Sequence, residues 1–284
     1  MQKKSVKIIS TTWVVLVAFI CVTFLGIFAD SLLFKKDGNS AQTDVKETLS
    51  GKYISFIGDS ITTYQGWNNN TTYNSTIGSN AIWYSTNKLS NVNSTWWKKS
   101  IDNLDLKLCV NNSWSGSQVT ITQGESASAC MTRSQNLHND KKNITPDIIV
   151  VYIGINDYNR GITLGSFDGI SDIYDYSTKQ YIGNLSEFAD AYATMVHKIT
   201  RAYPNADIYL CTLDQYNDTG IPSWNKVIKQ IAEAFDCNIV DFYNDTPMNT
   251  SNKSSYTIDG LHPNASGMNE MYKVLKKSLE KNYD

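Results

Sequence analysis

Five short apolar runs, separated by stretches of helical periodicity, constrain this chain more than any other feature. They are Tyr53–Ile57, Leu106–Val110, Ile148–Ile153, Ile208–Leu213 and Asn238–Phe242, rich in Ile, Val and Tyr and bounded by turn residues. Apolarity that is continuous rather than alternating belongs to strands covered on both faces, as in a parallel sheet. Between the runs, apolar side chains recur at three- and four-residue steps. Ser94 can cap a helix carrying Trp97, Ile101 and Leu104. The stripes Phe188–Tyr192–Met195–Ile199–Tyr203, Trp224–Ile228–Ile231–Phe235 and Met268–Met271–Tyr272–Leu275–Leu279 predict three more. Strand alternating with helix makes a doubly wound α/β sandwich, in which ligands bind at the C-terminal strand ends. These stripes read as core packing.

Upstream of that pattern the chain reads differently. Ile8 to Ala29 is free of charge and follows Lys3, Lys4 and Lys7. As a helix it spans roughly 33 Å, about the thickness of a bilayer's hydrocarbon core. Lysines on its N-terminal side predict an anchor with the rest of the chain outside the cell. A cleaved signal peptide is the alternative, although Ile27-Phe28-Ala29 is a poor cleavage site. The expected organisation is therefore an anchor over residues 1–29, a polar linker over 30–50 and one globular domain over 51–284.

Charge excludes one large class of function. With 25 basic against 27 acidic residues the formal charge is −2, and only Arg133, Arg160 and Arg201 are arginines. A nucleic-acid binder of the usual basic kind is not expected. Five cysteines are too few for a disulfide scaffold. An extracellular location nevertheless makes Cys109, Cys130, Cys211 and Cys237 candidates for disulfides. No zinc-like spacing, H-E-x-x-H or EF-hand loop occurs, so neither metal nor cofactor is expected.

The chemistry gathers where the predicted strands end. Gly58-Asp59-Ser60 follows the first and Asn111 to Ser117, with Gly116 inside it, the second. Gly154-Ile155-Asn156-Asp157 follows the third, and Asp259-Gly260-Leu261-His262 precedes the last helix. Each alone could be an ordinary turn or cap. Their ordered conjunction is specific, and through it the chain resembles the SGNH or GDSL hydrolases, a family of serine esterases, lipases and carbohydrate deacylases. Gly58-Asp59-Ser60 matches the nucleophile block, with Ile61 in place of the usual Leu, while Gly116, Gly154-x-Asn156-Asp157 and Asp259-x-x-His262 match the other three. The resemblance covers Lys52 to about Tyr283. It implies a flavodoxin-like three-layer α/β/α sandwich whose five parallel strands run in the order 2-1-3-4-5.

A serine hydroxyl needs a base. Of three histidines, His197 reads as a solvated residue on a helix and His138 lies in a polar stretch beside Asp140. His262 alone has an Asp three residues earlier on a glycine-containing turn. Ser60 is thus expected as nucleophile, His262 as general base then acid, and Asp259 as its orienting carboxylate. The family pattern implies an oxyanion hole from the Ser60 and Gly116 backbone N–H groups and the Asn156 side chain. Asp59 and Asp157 read as turn-stabilising groups.

For the substrate the informative residues are aromatic. Trp67, Trp83 and Trp114 are the candidates for lining the cleft, while Trp96 and Trp97 read as helix packing. Further rings, Phe167, Tyr174, Tyr176 and Tyr181, follow the third block. The expected activity is hydrolysis of a short acyl ester, above all acetyl, on a carbohydrate. A cell-surface O-acyltransferase, a long-chain lipase and a non-catalytic binding domain are the alternatives.

Overall fold

The structure is a computed structural model that describes residues 48–68, 73–74, 79–125, 127–214 and 219–283. The anchor expected over residues 1–29 and nearly all of the linker lie outside the described residues. Among the described residues no helix is long and apolar enough to cross a membrane.

Five parallel strands form the central sheet: β1 (Tyr53–Gly58), β2 (Lys107–Ser113), β3 (Ile148–Tyr152), β4 (Asp207–Cys211) and β5 (Asn238–Val240). Their order is β2-β1-β3-β4-β5, the order that the family resemblance implies. Side chains alternate between the faces along each strand. Ile54 and Phe56 of β1, Ile148 and Val150 of β3 and Tyr209 of β4 enter one apolar layer with α1 (Trp96–Asn103) and the C-terminal helix, α5 (Ala265–Tyr283). Ile57, Ile149, Val151, Ile208 and Leu210 enter the opposite layer with α3 (Phe188–Ala202) and α4 (Ile221–Ala234). Two apolar faces on one strand explain why the runs are continuous. Each fully buried Ile or Val contributes about 1.5–3 kcal/mol relative to exposure.

Several expectations need correction. The second strand runs on through Asn111, Asn112 and Ser113. The buried Asn111 amide there donates to Thr62 O at 2.9 Å, so a residue that reads as turn chemistry instead ties two strand ends together. Val92–Ser94 forms a short 3-10 turn, and the cap of α1 is Thr95, which accepts from Lys98 N. His197 is fully buried, against the rings of Tyr174, Tyr181 and Phe235 at 4.7, 5.6 and 5.7 Å. Burial pushes its pKa down to about 4. The segment that covers it contains the antiparallel pair Tyr174–Asp175 and Gln180–Tyr181. Among the described residues the disulfide candidates Cys109, Cys130, Cys211 and Cys237 are all free; the first three are buried and Cys237 is half-buried.

Candidate active site

β1 ends at Gly58, which pairs with Ser113 of β2 and Tyr152 of β3. The chain then turns sharply, because Asp59 Oδ1 accepts from Ile61 N at 3.0 Å and Thr63 N donates to Ser60 O at 3.2 Å, closing a 3-10 turn over Ser60–Thr62. Trp96 steadies that turn from α1, donating its indole N–H to Ile61 O at 3.3 Å. Ser60 therefore sits at the C-terminal edge of the sheet, 4% exposed.

The loop that enters α5 brings the second group. Asp259 Oδ1 accepts from Leu261 N at 3.1 Å and from His262 N at 2.8 Å. Its Oδ2 lies 2.8 Å from His262 Nδ1, and His262 Nε2 lies 2.9 Å from Ser60 Oγ. The carboxylate fixes the tautomer with a proton on Nδ1, which leaves Nε2 to accept from the serine hydroxyl. Burial lowers the His262 pKa and outweighs the Asp259 hydrogen bond that would raise it. The ring is then neutral and receptive at pH 7. Burial also opposes ionisation of Asp259, but the N–H donors of His262 and Leu261 hold its pKa below the usual value. Such a hydrogen-bonded chain can take a proton from a hydroxyl as the hydroxyl attacks a carbonyl carbon.

The expected oxyanion residues occupy the same edge. Gly58 O accepts from Trp114 N at 3.0 Å and from Ser117 Oγ at 3.4 Å, which pins both sides of the Gly116 turn two residues before Ser60. Gly116 has φ +75°, a conformation that glycine adopts without strain. Its carbonyl is drawn outward by Gln123 Nε2 and Arg160 Nη1, each at 2.8 Å. Asn156 heads α2 (Ile155–Asn159) and donates one amide hydrogen to Ser117 O at 3.0 Å, so the other hydrogen is available to a ligand. Asp157 holds the following loop, accepting from Val119 N at 2.8 Å and from Thr120 N and Oγ1 at 3.1 and 2.8 Å.

The three tryptophans expected in the cleft separate. Trp67 presents an exposed ring, 39% accessible, beside Trp97. Trp114 is buried with Ala81 and Ala127 under the Arg133 guanidinium and has little ring left to offer a ligand. Trp83 stacks on His262. Trp96 and Trp97 pack in the core as expected. Phe167, Tyr174 and Tyr181 cover the α3–α4 layer, Phe167 stacking on Phe235 at 6.3 Å.

Sequence reasoning missed Arg133. It is buried and donates to Ala127 O at 2.7 Å, Asn112 O at 2.8 Å and Gly58 O at 3.1 Å. Its scarcity as an arginine in a chain that favours lysine was the one available signal. Beside it, burial and the nearby Asp157 push Asp59 up to about 7, against its hydrogen bond from Ile61 and the charge of Arg133. Asp59 Oδ2 has no hydrogen-bond partner among the described residues, which suits a carboxyl close to neutrality. The folded state therefore holds a proton that the unfolded chain has lost, and this contribution to stability fades as pH rises from about 4 to about 7. Asp59→Asn, which keeps the Oδ1 acceptor, should melt increasingly above the wild type as pH rises through that window. A Tm difference that is flat with pH would contradict a raised Asp59.

The comparison with known families decides what this constellation belongs to. The GDSL-like lipase/acylhydrolase family profile matches residues 52–279. The chain belongs to that family. It is accordingly a hydrolase of carboxylic esters. No curated protein matches it. Among solved structures it is similar to a protein described as a GDSL-like lipase from Bacteroides ovatus, with 25% identity and a TM-score of 0.61 over 82% of this chain and 99% of that one. A second, from Bacteroides uniformis, has 24% identity and a TM-score of 0.60 over 81% and 96%. A variant of a Geobacillus acetyl-xylooligosaccharide esterase has 20% identity and a TM-score of 0.51 over 83% and 96%. The last two show likeness of fold.

Proposed function

We propose that this GDSL-family hydrolase is a serine esterase that removes a short acyl group, above all acetyl, from a carbohydrate. The observation that carries the reading is the unbroken hydrogen-bonded chain from Ser60 through His262 to Asp259. Ser60 Oγ attacks the ester carbonyl while His262 Nε2 takes its proton, and Asp259 stabilises the resulting imidazolium. The tetrahedral oxygen is held by the Ser60 and Gly116 N–H groups and the free amide hydrogen of Asn156, each worth about 2.7–4 kcal/mol in the transition state. His262 then protonates the departing alcohol, leaving an acyl-serine. Water, deprotonated by the same imidazole, releases the acid and restores the serine.

Two observations support an acetylated sugar as substrate. Trp67 is partly exposed, an aromatic of the kind that stacks on pyranose rings, with the Lys98 ammonium 5.4 Å from its ring centroid. One similar fold carries the name of an acetyl-xylooligosaccharide esterase. The charge-free Ile8–Ala29 segment adds the reading that the domain is tethered outside the cell.

The test is a panel of p-nitrophenyl esters from acetyl to octanoyl, with acetylated xylan and glucan oligosaccharides. Acetyl should be preferred by at least about tenfold in kcat/KM, the discrimination that a few methylenes provide. The neutral His262 should keep the acid limb of that profile below the usual imidazole range. A preference that rises with chain length would overturn the short-acyl reading. Acylated glycan forming faster than free acid would make the protein a transferase.

A further inference from the structure

Trp83 lies flat on the His262 imidazole, with ring centroids 3.6 Å apart and planes 9° from parallel. The same indole carries the Lys88 ammonium 3.2 Å from its centroid. Its backbone is tied toward Ser60: Trp83 N donates to Thr63 Oγ1 at 3.0 Å, and that hydroxyl donates to Ser60 O at 2.8 Å. The next residue is tied toward His262. Tyr84 donates its hydroxyl to Pro263 O at 2.8 Å and stands edge-on to the imidazole at 6.2 Å. Residues 83–84 thus form a strut between the turn that bears Ser60 and the turn that bears His262.

We propose that Trp83 is a positioning residue for His262, and that Lys88 acts through the indole to disfavour the imidazolium before substrate binds. This rests on the reading of Ser60 as nucleophile and His262 as base. A flat contact over the whole ring face blocks rotation of the imidazole out of the plane that contains Asp259 Oδ2 and Ser60 Oγ. It is also the contact through which an indole attracts a cation. The charged and titratable groups around the imidazole are Asp259, Lys88 and Tyr84. Asp259 and the indole favour the charged ring. The Lys88 ammonium opposes it, directly and by occupying the same π system. With both groups in place the ring is neutral at rest and supported once it takes the Ser60 proton. An indole already carrying an imidazole and an ammonium is not a platform for sugar.

The test compares Trp83→Leu, Trp83→Phe and Lys88→Met on p-nitrophenyl acetate, a substrate too small to reach a glycan subsite. Trp83→Leu should lose about tenfold to a hundredfold in kcat with KM little changed, and Trp83→Phe should recover most of the loss. Lys88→Met should move the acid limb of kcat/KM to higher pH. With three histidines in the chain, the His262 ring protons can be followed by NMR without turnover. They should move downfield in Trp83→Leu as the ring current disappears, and their titration midpoint should rise in Lys88→Met. An inactive wild type with both NMR changes intact would sink the esterase reading and leave the stacking in place. A Trp83→Leu protein with normal kcat on the small ester, and a raised KM only on acetylated oligosaccharides, would overturn the proposal. So would an unmoved His262 midpoint in Lys88→Met.

Discussion

Ser60→Ala is expected to lower kcat for acetyl esters by about four to six orders of magnitude and leave the fold unchanged. The hydroxyl bonds to His262 Nε2, while the turn itself is closed by backbone bonds from Thr62 N to Asp59 O and from Thr63 N to Ser60 O. His262→Ala should cost about as much, and the double variant little more than either, because the two groups act as one unit. Asp259→Asn should lose about 10⁴-fold by favouring the wrong imidazole tautomer. Melting curves and circular dichroism establish that each variant is folded. A serine-directed phosphonate should label the wild type and not Ser60→Ala. Turnover within tenfold of wild type in Ser60→Ala would remove this residue from the chemistry altogether.

The largest loss of stability is expected at Arg133, which no motif marks. Its guanidinium donates to the carbonyls of Ala127, Asn112 and Gly58 inside the domain. Gly58 O has other donors in Trp114 N and Ser117 Oγ, but Arg133→Met strips the Ala127 and Asn112 carbonyls of this partner. A buried group left unsatisfied costs about 1–3 kcal/mol, more where the lost bond was charge-assisted. The variant should therefore lose roughly 3–5 kcal/mol, a fall in Tm of about 6–20 °C for a domain of this size. Arg133→Lys should recover little of it, because one ammonium cannot reach three diverging carbonyls with the geometry of a planar fork. A fall of less than 2 °C in Arg133→Met, by calorimetry, would mean that the three carbonyls find other donors.

The outcomes at particular residues separate what was legible in the chain from what was not. The five strands are visible because both faces of the sheet are covered, so Ile148, Ile149, Val150 and Val151 are all buried. Strand order carries no such mark, and only resemblance to a family supplied it. Asn111 and Ser113 read as the end of a strand because polarity usually marks a turn, whereas here Asn111 spends its amide on Thr62 O inside the sheet edge. His197 read as solvated because it stands off the apolar stripe of its helix. The rings of Tyr174 and Tyr181 that bury it come from a hairpin-like segment whose docking leaves no periodic signal. At the site, Ser60, Asp259 and His262 were legible through short motifs, each fixed by a tight local turn. Trp83 and Trp114 were not separable, since only long-range packing decides that one meets the imidazole and the other Arg133. Residues whose role depends on neighbours far along the chain are the ones that sequence pattern leaves unresolved.

Ser60 and His262 touch across 202 positions of sequence. The serine arrives with the first strand of the domain, and its imidazole only with the turn that enters α5. On the proposed mechanism, a polypeptide growing from the ribosome carries no working esterase until nearly all of the domain has emerged and α5 has docked. On that mechanism hydrolytic activity reports that the domain has closed on itself, and a chain truncated before His262 should be chemically silent however well its sheet assembles.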